Sequence, residues 1–140
     1  MRLIDGRTGI EVIERGECME LLGSTVVARV AVVDAGHPVI FPVNYAMDGE
    51  HVVFRTAPGT KLDAVVRGAP VCVEIDWTDP STRTAWSVVV TGWARVVETA
   101  EERARAEALD LQPWSEHEKD HFVAVFPERV SGRRITPVEA

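Results

Sequence analysis

Cysteine is nearly absent: the 140 residues hold two, Cys18 and Cys72, in no C-x-x-C or zinc-like spacing. A disulfide framework is therefore not expected, and a chain of this length can bury a core without one. Positive charge is also in short supply. The net charge of −7 and pI of about 5.1 argue against non-specific binding to nucleic acid or to an anionic membrane, both of which attract basic surfaces. A local basic pocket stays compatible with that total. No apolar run approaches the roughly 20 residues that span a bilayer, and MRLIDGRTGIEVIERGE has no apolar core of signal-peptide length. The expectation is a cytoplasmic protein with reduced thiols. Several catalytic signatures are missing too: no G-x-S-x-G, P-loop or G-x-G-x-x-G occurs. Repeats, low-complexity tracts and linkers are absent, so residues 1–140 read as one domain.

What is present is strand. Glu11–Leu22 has helical apolar spacing and ends at Gly23-Ser24. Thr25–Val33 is dense in β-branched residues and reads as a strand. Pro38–Met47 is a second strand, with Pro42 at an edge or bulge because proline cannot donate to a ladder. Asp48-Gly49 signals a hairpin into His51–Thr56, which completes an antiparallel meander. A short helix over Lys61–Arg67 closes at Gly68. A fourth strand, VCVEIDW, follows Pro70. Ala85–Glu98 is a long strand with a bulge or bend at Gly92, and Thr99–Leu109 is a helix opened by a Thr99/Glu102 capping pair. Phe122–Phe126 and Arg129–Ile135 are the last two strands. This order is not βαβ; it implies a mainly β fold, an antiparallel barrel with a few helices packed on it.

One stretch concentrates chemistry. In FRTAPGTKLD, Thr60 occupies a helix N-cap position and Asp63 completes a capping pattern. Arg55 and Lys61 add two cations, Thr56 a hydroxyl and Gly59 a close backbone approach. A helix start with free amides favours an anion, so a phosphate monoester would find its ligands within seven residues. The same residues also make an ordinary turn and cap with two solvated cations. Asn44 sits on the neighbouring strand of the hairpin, pointing opposite to Val43 and Tyr45. Its amide suits the edge of a flat heterocycle, or simply a satisfied sheet position. In AWSVVVTGW, Trp86, Val88 and Val90 face one way and Ser87, Val89, Thr91 and Trp93 the other. So long an apolar strand implies cover on both faces, by a second subunit or by the chain's own core.

Taken together, PVNY, VVFRTAPGTKL, GAPVCVEID, WSVVVTGWA and RVSGRRI resemble the pyridoxamine 5′-phosphate oxidase-like superfamily of flavin-binding split barrels, in its short actinobacterial-type form. The likeness runs from about Cys18 to Ile135. It implies a six-stranded antiparallel split β-barrel, a homodimer, and FMN in clefts at the dimer interface. By that resemblance Pro42, Val43, Asn44 and Tyr45 lie along the isoalloxazine ring. Arg55, Thr56, Ala57, Gly59, Thr60 and Lys61 hold ribityl and phosphate. Trp86, Ser87 and Val88 line the cleft, and Arg133 and Arg134 are further candidates. Relatives usually read Gly where Ala85 stands and Arg where Trp93 stands. No counterpart of the substrate-binding C-terminal segment of true pyridoxamine phosphate oxidases is seen.

The resemblance implies a flavin-dependent oxidoreductase acting on a small molecule. The deazaflavin F420 is the alternative cofactor, and a flavin- or haem-binding protein without turnover is the alternative role. A flavin carries its own redox chemistry, so no protein nucleophile is required and no catalytic residue is assigned. His117 and His121, four apart, lack a third metal ligand. His37 and His51 fall at turns, and Cys72 reads as a small buried hydrophobe.

Overall fold

A computed structural model describes residues 3, 4, 6, 7, 9–112, 114 and 121–137. The elements are β1 (Leu3–Ile4), β2 (Glu11–Ile13), α1 (Arg15–Leu22), β3 (Val27–Asp34), β4 (His37–Asp48), β5 (His51–Thr56), α2 (Lys61–Val65), β6 (Pro70–Asp79), β7 (Thr84–Val96), α3 (Ala100–Glu107) and β8 (His121–Ile135). Every ladder is antiparallel, and the strands run β1-β2-β8-β5-β4-β3-β6-β7. A further β7–β8 ladder closes β8-β5-β4-β3-β6-β7 into a six-stranded ring. The expected mainly β split barrel is thus the fold observed.

Alternation builds the interior. Val30 and Val32, Val43 and Tyr45, Val52 and Phe54, Val73 and Ile75, Val88 and Val90, and Val123 and Val125 all point inward and are buried. Each apolar side chain removed from water contributes roughly 1.5–3 kcal/mol. A second, smaller core forms outside the ring, where Ala106 and Leu111 cover Val53, Phe122 and Ala124. Helix α3 is therefore not an ornament on the barrel; it seals one outer face.

Three expectations are corrected. Glu11–Ile13 is not the first turn of a helix but strand β2, because β8 offers an open edge and pairs Glu11 with Arg134 and Ile13 with Gly132. The last two expected strands are one, β8, uninterrupted by Pro127. There the register shifts between Thr91 and Gly92, whose partners are Arg129 and Pro127. Glu128 is the extra residue of that bulge, which tolerates a proline with no N–H to donate. Cys72 is half-buried on the outer face; the buried thiol is Cys18. Pro42 behaves as expected: the β4–β5 ladder spans only Tyr45–Asp48, so at Pro42 that side of β4 is an edge.

Candidate cofactor site

The split in the barrel falls where the chemistry is concentrated. Asn44 and Arg55 follow the last β4–β5 pair, Tyr45 and Phe54. Because Tyr45 and Phe54 point inward, Asn44 and Arg55 share the outer face. The Asn44 amide donates to the Val26 carbonyl (3.3 Å) and accepts from the Trp114 backbone N–H (2.8 Å). The Arg55 guanidinium lies 4.8 Å from the centre of the Phe122 ring, a stacking that holds the cation at the surface. Pro42 is exposed beside them, while Val43 and Tyr45 are buried and turn only main chain to this side. The Tyr45 hydroxyl is held by the Leu22 carbonyl and the Thr25 hydroxyl.

Between β5 and α2 the chain makes the expected turn and cap. Gly59 has φ +79°, with open space where a Cβ would stand. Thr60 caps α2 by accepting from the Asp63 N–H (3.3 Å) and donates to the Ala57 carbonyl (2.7 Å). A helix of five residues has little dipole, so any anion here would depend on side-chain cations. Lys61 is exposed and pairs with Asp34 at 3.0 Å. Thr56 is turned inward: its buried hydroxyl donates to Asp63 Oδ1 at 2.7 Å.

Asp63 is the hub that the sequence did not reveal. Its buried carboxylate also meets His121 Nδ1 at 2.7 Å and Arg67 at 3.4 Å. Burial pushes its pKa up, but the bonds from His121, Thr56 and Arg67 outweigh burial and hold it at about 2. This cluster ties α2 to the ends of β5 and β8. His117 lies outside the described residues, so the pair with His121 is not described. Among the described residues no group of three metal-ligating side chains gathers.

On the far wall, β7 pairs Trp86 with Arg134 and Ser87 with Arg133. Trp86, Ser87 and Arg133 line a cavity of about 210 Å³ together with Ile10, Asp76 and Ile135. Val88 points into the core. Arg134 is drawn away by Glu17 at 2.5 Å and Glu11 at 3.3 Å. Trp93 is exposed and donates through Nε1 to Glu128 (2.6 Å). Sequence reading also missed Arg29, which pairs across β3 with Pro42 and bridges Asp76 (2.9 Å) and Glu74 (3.4 Å). Burial, then the neighbouring Asp76 carboxyl, push Glu74 up to about 7.

A sequence model of the family described as pyridoxamine 5′-phosphate oxidase matches residues 14–134. The chain belongs to that family. It is 42% identical over 128 residues to the uncharacterized protein Rv0080 of Mycobacterium tuberculosis, covering 88% of this chain and 84% of that one. Among solved structures it resembles the FAD binding protein from Mycobacterium smegmatis, with a TM-score of 0.80 and 34% identity over 89% of this chain and 98% of the other. The FAD and heme binding protein from the same organism has a TM-score of 0.71 at 21% identity, over 91% of this chain and 75% of the other, a likeness of fold alone. The family name says nothing of this member's substrate. No helix among the described residues is long and apolar enough to cross a membrane.

Proposed function

We propose that this family member binds a flavin along the Pro42–Asn44 edge, with the phosphate against Arg55 and Lys61, and serves as a flavin-dependent oxidoreductase for a small molecule. The observation that carries the reading is the shared outer face of Asn44 and Arg55 at the split, where an edge strand ends beside a glycine turn. The residues fit the group: Arg55 is a two-pronged phosphate donor, the open space at Gly59 admits a close ligand, and Lys61 is exposed. Lys61 would exchange Asp34 for phosphate. Thr56, locked to Asp63, supports the turn and does not reach a ligand through its hydroxyl. FMN and FAD share the riboflavin phosphate that this site addresses, and relatives named for FAD favour a flavin over F420. Bound flavin would supply hydride and electron transfer; the chain would hold and orient it.

The second cleft wall, Trp86, Ser87 and Arg133, would come from a partner copy of the chain. An apolar patch supports this homodimer. Ala31 pairs with both Ile40 and Cys72, Val33 with Pro38, and Cys72 with Thr91, and Val33 and Ile40 are 64% and 66% exposed. Contiguous apolar surface of this kind marks an interface.

The test is fluorescence titration with FMN, FAD and F420. Saturable flavin quenching at one per chain is expected. Arg55→Ala with Lys61→Ala should weaken it by about a hundredfold or more, since each charge-assisted contact is worth roughly 1.5–3 kcal/mol. An unchanged dissociation constant would sink the assignment. Tight F420 binding in preference to flavin would move the chemistry to deazaflavin hydride transfer. Flavin bound without turnover by NADH or NADPH would make the protein a carrier or sensor.

A further inference from the structure

Beneath α3, away from the turn at Gly59, the outer face of β5, β7 and β8 holds a cavity of about 180 Å³. Its floor is apolar: Val53, Val97, Ala106, Ala124 and Phe126. An apolar cavity of about 150 Å³ accommodates one benzene ring, so this one has room for a single ring. The mouth carries two guanidinium groups. Arg105 reaches Asp48 at 2.9 and 3.0 Å, and Arg95 reaches Glu102 at 3.1 Å. Arg95 also stacks 4.9 Å from the centre of Phe126, and the His51 ring packs on the same phenyl at 4.3 Å. Each arginine engages its carboxylate through one terminal nitrogen only, so among the described residues its Nε–H and its other terminal nitrogen are unused. A guanidinium presents five N–H donors in a planar fork. Here two such forks are braced by carboxylates at the rim of an apolar hollow.

We propose that this cavity is a second small-molecule site, distinct from the flavin face, which takes a compact apolar carboxylate: one ring or its equivalent against Val53, Ala106 and Phe126, and the carboxylate on the spare donors of Arg95 and Arg105. Asp48 and Glu102 neutralise the rim, so the net field gives little attraction. Affinity comes from the apolar floor, and orientation from the bidentate donors. The proposal stands on this geometry and does not depend on the flavin reading.

Benzoate is the probe, titrated into the full chain and followed by ligand-observed NMR and calorimetry, with benzamide as the uncharged isostere. Saturable benzoate binding with a Kd of about 1 mM or tighter is expected, and about tenfold weaker binding of benzamide. Arg95→Gln and Arg105→Gln should each weaken benzoate by about tenfold and leave benzamide unchanged. Ala106→Leu fills the hollow from the helix side and should abolish both. Ala124→Leu fills it from the sheet side, so a loosened α3 in one variant does not decide the result. No saturable binding, equal affinity for benzoate and benzamide, or binding that survives both filled variants overturns the proposal. FMN titration of the same variants separates the two sites: unchanged FMN affinity is expected, and a parallel loss would show that the hollow is part of the cofactor cleft, which also overturns it. Benzoate binding in a chain that fails to bind flavin would leave this site standing and remove the other.

Discussion

Two carboxyl groups titrate in opposite senses, and the protein's pH response should show both. Asp63 has a folded pKa of about 2, below its usual 3.8. Its contribution is therefore fully present above pH 4 and is lost as pH falls toward 2. Glu74 is raised from 4.5 to about 7. The folded state then binds more protons than the unfolded one between those values, so stability declines as pH rises from 4.5 to 7. Urea midpoints measured from pH 3 to 8 should climb and then fall. Glu74→Gln should flatten the neutral limb, and a limb that persists in that variant would show that Glu74 is not its source. Asp63→Asn should flatten the acid limb and lower the curve above pH 4 by about 1–3 kcal/mol, because buried partners lose a charged acceptor. His121→Ala should reproduce part of that loss. None of this was legible in sequence: His121 and Asp63 are 58 positions apart, and only the β5–β8 ladder, which sets His121 opposite Thr56, brings β8 beside α2.

Elements were easier to read than their junctions. The β3–β4–β5 meander was visible because Asp48-Gly49 and the alternating β-branched residues encode it locally. Glu11–Ile13 was misread because an apolar pair at helical spacing also suits a strand, and an open β8 edge decided between them. β8 was read as two strands because Pro127 normally ends one; the bulge that accommodates it is specified by Gly92 on the partner strand. A Cβ on Gly92 would stand 2.0 Å from the Phe126 carbonyl oxygen. Gly92→Ala should cost more than about 3 kcal/mol by thermal or urea unfolding. Gly49→Ala, with φ +59° but open space, should cost only about 1–2 kcal/mol. Equal losses would show that the bulge yields easily. The candidate site was legible where it is local, from Arg55 to Lys61, and hidden where it depends on register, as with Arg29 beside Pro42 or Trp114 on Asn44.

The whole molecule of 15.4 kDa should sediment at twice that mass if the patch around Ile40 joins two copies. Ile40→Glu, placing a charge on a residue two-thirds exposed, should yield monomers that remain folded and lose flavin affinity together with the partner's wall. A folded monomer that binds flavin normally would confine the cleft to one chain. β8 bears on a different property, the order in which the protein is made. It is hydrogen-bonded to β2, β5 and β7, elements spread along the chain ahead of it, yet among the described strands it is the last to be synthesised. Until it leaves the ribosome, β5 and β7 each present a bare edge and the barrel remains an open curl. Such edges template mispairing, and contacts so distant in sequence form slowly. A nascent chain stalled before residue 121 should therefore be protease-sensitive and chaperone-bound, and emergence of β8 should convert it in one cooperative step.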